Sequence, residues 1–168
     1  SENAKEILAN LGRNIDVIGG IFDDTMLHLR KCAGLELSKE PFCCAVSIHH
    51  KLAQKKKLQI SDLYGENLML MRRGWSNHVD ELRDDIWKNH GQIHIVDFDF
   101  YSMSVFNQCE NTNDVLLAIP GWANVHPLLK VIPVEWKYDI SYGLLYSQNP
   151  SEKVKKFLEV AKSIALHE

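Results

Sequence analysis

The sequence has no apolar run near the roughly 18 consecutive residues that a membrane span requires, and no basic segment followed by an apolar one at its start. Its four cysteines form no Cys-x-x-Cys pair. Cys43 and Cys44 are adjacent, and neighbouring residues of a strand point to opposite faces, so these thiols are poorly placed to bridge or to chelate together. We therefore predict free thiols, no metal, no membrane partner and a cytoplasmic protein.

A large excess of charge of one sign is also absent. The 168 residues carry a formal net charge of -3 at pH 7, and 45% of them are hydrophobic. The isoelectric point is near 6.2, whereas a domain that binds nucleic acid usually has a value above about 9. A chain of this length buries enough surface for a core without disulfides or metal. We expect a globular domain that does not bind DNA by itself.

The common catalytic and nucleotide-binding motifs are missing. The chain contains no Gly-x-Gly-x-x-Gly, Walker loop, Gly-x-Ser-x-Gly or His-Glu-x-x-His segment. His90 and His94 lie four residues apart, but Gly91 and the strand pattern after it prevent a shared helical face, which argues against a zinc pair. We predict no enzyme activity and no cofactor. A small α/β enzyme that uses Cys109 or a histidine is the least favoured of the functions considered below.

Strand patterns alternate with helix patterns along the chain, which is typical of α/β folds. Residues 42–48 alternate between apolar and small or polar side chains, and residues 115–119 form an uninterrupted apolar run. Val79, Leu82 and Ile86 share one helix face. The final helix has the longest apolar stripe, formed by Val154, Phe157, Leu158, Ala161, Ile164 and Ala165. We predict an α/β fold with several helices packed on sheets.

Several short segments follow one another in a recognisable order and spacing. They are Asn14-Ile15-Asp16-Val17-Ile18-Gly19-Gly20-Ile21, Glu40-Pro41-Phe42, His50-Lys51-Leu52-Ala53, Leu58-x-Ile60-x-Asp62-Leu63-x-Gly65-Glu66, and Tyr142-Gly143-Leu144-Leu145-Tyr146-Ser147 followed by Asn149-Pro150-Ser151. Together they resemble the effector-binding region of LysR-type transcriptional regulators. Lys51 replaces the proline that the family usually has. The family's first strand, helix and strand, and its DNA-binding domain, are missing before Asn3, so the sequence resembles a fragment of such a regulator.

The resemblance implies a fold of two Rossmann-like lobes joined by two crossover strands, similar to type 2 periplasmic binding proteins. We place the crossings at residues 45–49 and 131–135, with residues 1–48 and 135–168 in an incomplete lobe one and residues 49–134 in lobe two. The implied function is sensing of a small-molecule effector, whose binding between the lobes shifts their angle and the geometry of a homodimer or homotetramer. DNA would be bound only through a separate N-terminal domain. The runner-up is a stand-alone solute-binding protein of similar fold.

The segment from Arg72 to Asn77 is the strongest candidate for effector contact, because it joins a strand to a helix N-terminus. Gly74 allows close backbone approach, Ser76 and nearby N–H groups suit a carboxylate, and Arg73 suits a bidentate clamp. Alternatively, Ser76 merely caps the helix and the arginines lie in solvent. Asp23 completes the rim of the predicted cleft. The predicted effector-binding residues are Ser1, Glu2, Asn3, Ile21, Phe22, Arg73, Gly74, Trp75, Ser76, Asn77, Phe100, Tyr101 and Trp122. An anion or carboxylate is the predicted effector class.

Overall fold

The computed structural model describes Gly12 and residues 15–166, whose strands form two separate sheets. The strands are β1 (Val17–Phe22), β2 (Cys32–Pro41), β3 (Cys43–Ser47), β4 (Asn67–Met71), β5 (His94–Phe98), β6 (Val115–Ala118), β7 (Leu129–Pro133) and β8 (Asp139–Ser147). The α-helices are α1 (Asp24–Arg30), α2 (Asn77–Asn89), α3 (Met103–Asn111) and α4 (Glu152–Ala165). The predicted α/β architecture is confirmed.

The two sheets differ in topology. The smaller has the order β1-β8-β2 with all pairs antiparallel. The larger has the order β5-β4-β6-β3-β7, in which β4 runs parallel to β5 and β6, and β3 runs antiparallel to β6 and β7. Parallel strands covered on both faces read as continuous apolar runs, and β6 is buried at every position. This explains the uninterrupted run at residues 115–119.

Side-chain caps fix where the main helices begin. The Ser76 hydroxyl accepts a hydrogen bond from the Val79 N–H at 3.2 Å, and α2 starts at the next residue. The Ser151 hydroxyl accepts from the Val154 N–H in the same way, and α4 follows. These caps satisfy N–H groups that the helix itself leaves free. The sequence indicates a cap at Ser151 and at either Ser76 or Asn77, and the structure shows Ser151 and Ser76 in this role.

The chain passes between the sheets twice, between β2 and β3 and between β7 and β8. The Phe42 N–H donates to the Tyr138 carbonyl at 2.8 Å, and the Trp136 indole N–H donates to the Phe42 carbonyl at 2.7 Å, so the two connections are bonded to each other. The first connection comes earlier than the predicted residues 45–49, because β3 finds strand partners on both sides in the larger sheet. The lobe boundaries stay a prediction, and this pairing favours placing β3 in lobe two.

Gly143 lies at the tightest point of the smaller sheet. It occupies the middle of β8, which pairs with both β1 and β2. The β2 register shifts between Glu36 and Ser38, directly opposite Gly143. A Cβ atom at position 143 would lie only 1.9 Å from the Leu35 carbonyl oxygen. The register shift is a β-bulge in β2, and it requires a residue without a side chain at position 143.

Candidate functional site

A cavity of about 230 Å³ lies where the smaller sheet faces the loops of the larger one. The smaller sheet and α1 contribute residues 18–21, Met26, Tyr142 and Leu145, and the loops after β5 and β6 contribute Phe100, Tyr101 and Trp122. Among the residues that the structure describes, no charged side chain belongs to this lining. The cavity brings together four predicted site residues, which are Ile21, Phe100, Tyr101 and Trp122. We refer to it below as the cleft.

The aromatic wall of the cleft is held in place by packing. Tyr101 meets Phe98 and Trp122 edge to face, with ring centroids 4.8 and 4.6 Å apart. Its hydroxyl donates to the Leu117 carbonyl at 2.6 Å, so it offers no free proton to a ligand. Burial raises the pKa of Tyr101. Aromatic pairs of this geometry are mutually stabilising, and the wall presents a rigid apolar surface.

Tyr142 supplies a polar group on the opposite side. Its side chain is half-buried and lies over β1, since a Cβ atom on Gly19 would be 3.2 Å from the Tyr142 hydroxyl oxygen. Among the residues that the structure describes, this hydroxyl has no hydrogen-bond partner. A buried or half-buried tyrosine usually finds one. Over the described ranges, the Tyr142 hydroxyl is therefore a polar group of the cleft wall that a bound molecule could contact.

A carboxylate from the chain itself sits at the start of α2. Asp23 is 5% exposed, and its oxygens accept hydrogen bonds from the Met26 N–H at 2.9 Å, the His78 N–H at 3.2 Å and the Ser76 hydroxyl. With its nitrogen turned toward Asp23, the Asn77 amide donates to the same carboxylate at 3.1 Å. Negative charge at a helix N-terminus is favourable. Asp23 thus caps α1 and at the same time joins α1 to the first turn of α2.

The arginines of the predicted segment form ion pairs at the surface. Arg73 pairs with Asp84 on α2, and the Arg72 Nε lies 2.9 Å from an Asp99 carboxylate oxygen. All four side chains are more than half exposed, so these pairs contribute little to stability. Gly74 adopts a φ of +91°, which forms the turn that leads into α2. Neither arginine belongs to the cleft lining.

Arg30 lies between two aromatic rings at the end of α1. Its guanidinium carbon is 4.6 Å from the centroid of the Trp75 ring and 4.7 Å from that of Phe100. Burial lowers the pKa of Arg30, and its Nη2 has no acceptor among the described residues. Cations over aromatic faces are stabilising. Arg30 ends the helix that connects β1 and β2 of the smaller sheet, whereas Trp75 and Phe100 follow strands of the larger sheet. This contact therefore also joins the two sheets.

Phe22 does not belong to the cleft lining. Phe22 is buried beside Gly34, where a Cβ atom would meet its ring at 2.7 Å. Ser1, Glu2 and Asn3 lie outside the described residues. The predicted site set as a whole stays a prediction.

Residues 1–165 match the family described as the LysR substrate binding domain. The chain belongs to this family. None of the curated proteins gives a significant match. The match to the family over residues 1–165 confirms the resemblance found in the sequence.

Solved structures of LysR-type regulators share the fold. The effector binding domain of QuiR in complex with shikimate is 16% identical, with a TM-score of 0.68 over 98% of this chain and 78% of that chain. The CcmR regulatory domain of Synechocystis PCC6803 in complex with 2-PG is 10% identical, with a TM-score of 0.60 over 96% and 79%. The BenM domain with its effector benzoate is 17% identical, with a TM-score of 0.59 over 99% and 76%. The two-lobed, periplasmic-binding-protein-like fold class is confirmed.

Sequence reasoning missed several cleft residues of this LysR-type domain. Met26 and Leu145 look like ordinary core positions, and Tyr142 lies within a segment that carries the family resemblance but has no distinguishing neighbour in sequence. Arg30, which lies beside the cleft wall and is not part of the lining, is the last residue of a short helix without a distinguishing pattern. Only the glycine pair Gly19-Gly20, inside a strand, is a local signal, since such glycines often mark close approach by another group.

Neither the pair His90 and His94 nor another group of metal-binding side chains forms a site in the described part of the chain. The His90 Nδ1 lies 2.7 Å from the Tyr64 hydroxyl, and the His94 Nδ1 lies 3.1 Å from the Asn67 amide oxygen. Over Gly12 and residues 15–166, no cluster of three or more His, Cys, Asp or Glu residues is arranged to hold a metal ion. No helix in these ranges is long and apolar enough to cross a membrane.

The four cysteines are all buried and free. Burial raises the pKa of Cys43 to about 11 and that of Cys109 to about 12. Because the thiolate is the reactive form, we expect all four thiols to resist a disulfide reagent at pH 8 in the native protein and to react rapidly in 6 M guanidinium, with absorbance at 412 nm as the readout. Rapid labelling of even one native thiol would contradict the burial of these side chains.

Proposed function

We propose that this LysR-type domain senses a small molecule in the cleft between its two sheets and transmits binding as a change in the angle between them. The observation that carries this proposal is the composition of the cleft wall, because one half comes from β1, β8 and α1 and the other half from the loops after β5 and β6. A ligand that contacts both halves favours the closed arrangement over an open one. Concave, largely apolar cavities with a few polar groups are typical of ligand sites.

We infer that the domain acts in the cytoplasm as part of a homodimer or homotetramer, with DNA contacted by a separate N-terminal domain, and that it regulates transcription without catalysis. The net charge of -3 supports a sensor that leaves DNA binding to another domain. The titles of the QuiR, CcmR and BenM structures name shikimate, 2-PG and benzoate as bound molecules, which supports a small organic effector here.

A matched pair of tryptophan variants tests the proposal. A panel of small carboxylic acids, sugar acids and uncharged ring compounds is screened by thermal shift, because a ligand that binds only the native state raises the Tm. For a compound that stabilises the wild type, we expect Trp122→Ala to weaken binding at least tenfold. Trp87 lies outside the cleft and is 82% exposed, so Trp87→Ala should bind like the wild type.

Circular dichroism of both variants shows whether the fold is retained. Equal affinity of the wild type and a folded Trp122→Ala variant for every stabilising compound would place the ligand outside the cleft and overturn the proposal. A ligand-induced decrease in the radius of gyration, measured by small-angle X-ray scattering, is the expected sign of closure.

A further inference from the structure

We propose that the short helix α1 carries a latch that holds the two sheets at the angle seen in the structure before any effector binds. The latch consists of two side chains, the Asp23 carboxylate at the N-cap of α1 and the Arg30 guanidinium at the last residue of the helix. This inference rests on the proposed function, because it concerns the regulation of the cleft.

Both side chains of the latch reach from the smaller sheet to the larger one. The helix α1 connects β1 to β2, which belong to the smaller sheet. The groups that Asp23 and Arg30 contact across the gap follow β4 or β5, two parallel strands of the larger sheet. The chain itself passes between the sheets elsewhere, between β2 and β3 and between β7 and β8. The latch therefore joins the two halves at a place away from the covalent connections.

The two oxygens of Asp23 serve different halves of the molecule. Oδ1 accepts from the Met26 N–H of α1 at 2.9 Å, which is an ordinary helix cap that needs no other element. Oδ2 accepts from the Ser76 hydroxyl and from the His78 N–H at 3.2 Å, both at the start of α2. Separation of the two sheets would leave the first bond intact and would break the bonds of Oδ2.

The surroundings of Asp23 strengthen the bonds of Oδ2. Asp23 is only 5% exposed, and Ser76 is fully buried. Hydrogen bonds to an ionised acceptor are stronger than those between neutral groups, and a helix N-terminus favours negative charge. The start of α2 therefore attracts the Asp23 carboxylate, and water would have to replace these donors if the two halves moved apart.

Arg30 forms the second contact of the latch. Its guanidinium carbon lies 4.6 Å from the centroid of the Trp75 ring and 4.7 Å from that of the Phe100 ring. Cation–π contacts are stabilising, and more so where the cation is partly removed from water. A rotation that withdraws α1 from the larger sheet would break both contacts and expose the two ring faces. Phe100 also lines the cleft, so the latch is continuous with the proposed effector site.

The strength of the latch sets how the domain responds to an effector. The latch raises the fraction of molecules whose two halves are already together when the effector arrives. The apparent dissociation constant of an effector equals its intrinsic constant divided by the fraction of molecules in the binding-competent state. A weaker latch therefore means that a higher effector concentration is needed for the same response.

Distance measurements on the ligand-free chain test the latch. Lys88 near the end of α2 and Lys156 on α4 are exposed, and α4 contacts β2 of the smaller sheet. Spin labels are attached at these two positions through a keto-bearing amino acid, so the cysteines stay unmodified, and the distance distribution is recorded by pulsed electron paramagnetic resonance. For Asp23→Ala, we expect the ratio of molecules outside the wild-type distance peak to those inside it to rise at least about fivefold, which corresponds to the loss of about one hydrogen bond.

Asp24→Ala is the matched control for this variant. Asp24 is exposed in the first turn of the same helix, so its replacement should leave the wild-type distribution unchanged. Circular dichroism shows whether each variant is folded.

A second variant tests the latch independently of Asp23. Arg30→Leu keeps a side chain of similar reach between the two rings and removes its charge, and the same ratio should rise at least about threefold. Arg72→Leu is its control, because Arg72 pairs with Asp99 and both residues follow strands of the larger sheet. This control should give the wild-type distribution.

A wild-type distribution for folded Asp23→Ala would overturn the latch, and Arg30→Leu decides in the same way if Asp23→Ala does not fold. Because these measurements contain no ligand, failure of the latch would leave the sensor proposal to the tryptophan variants. Failure of those variants to locate a ligand in the cleft would, in turn, leave the measured distances unaffected.

Discussion

Replacing Asp23 with alanine is expected to lower the free energy of unfolding by at least about 3 kcal/mol, since loss of a helix cap typically costs about 1 kcal/mol and each further buried donor left unpaired costs about 1 to 3 kcal/mol. The Met26 and His78 N–H groups and the Ser76 hydroxyl all lose their acceptor. Urea denaturation followed by circular dichroism measures the change. Asp24→Ala is the matched control, because Asp24 is exposed in the first turn of α1 and its replacement should cost less than about 0.5 kcal/mol.

Chemical rescue distinguishes the loss of the carboxylate from a general loss of packing. Formate is small enough to take the place of the missing group and to accept the same hydrogen bonds. We expect tens of millimolar formate to raise the Tm of Asp23→Ala and to leave that of the wild type and of Asp24→Ala unchanged relative to chloride at equal ionic strength. A Tm for Asp23→Ala equal to that of Asp24→Ala would show that the contact between α1 and α2 contributes nothing to stability.

Replacing Gly143 with alanine is expected to cost more than about 4 kcal/mol or to prevent folding, which is the range of exceptional point mutations. The added methyl group would lie 1.9 Å from the Leu35 carbonyl oxygen and 3.0 Å from the Leu37 nitrogen, and both are backbone atoms that belong to the bulge. This clash can be removed only if β2 and β8 move apart, which would break hydrogen bonds along the centre of the smaller sheet. Soluble yield and the midpoint of urea unfolding are the measurements.

Gly91→Ala is the control for this substitution. A Cβ atom at Gly91 meets nothing within 4 Å, and Gly91 is not among the residues with positive φ. Its replacement should change the unfolding free energy by less than about 1 kcal/mol and can be slightly stabilising, because alanine restricts the unfolded chain. Similar midpoints for the two variants would mean that the bulge in β2 adapts without cost.

Local features of the fold are predictable from the sequence because they depend on neighbours along the chain. The N-cap Ser151 and the buried run at residues 115–119 are recognised by spacing and residue type alone, and the cap of α2 is narrowed to Ser76 or Asn77. The aromatic pair Phe100 and Tyr101 reaches the cleft because it follows a strand, as the sequence indicates.

Contacts between residues that are distant in sequence cannot be predicted in this way. Asp23 and Ser76 are 53 residues apart, and no periodicity predicts that the carboxylate of one would satisfy the helix start provided by the other. The sequence suggests an anion at this turn, and the structure supplies it from within the chain. Likewise, an arginine beside a glycine looks like a ligand clamp, whereas Arg73 pairs with Asp84 because that residue lies within reach on α2.

The hydrogen bonds of Phe42 to Tyr138 and Trp136 limit how the two halves can move. Since both connecting segments are bonded side by side, a sliding displacement of one half along the other would have to break these bonds, whereas a rotation about the line through them keeps the bonds intact. A rotation of this kind is still opposed by the contacts of Asp23 with Ser76 and His78 and of Arg30 with Trp75 and Phe100. In a rotation about this axis each atom moves in proportion to its distance from the axis, so the surfaces farthest from the two connections would move most.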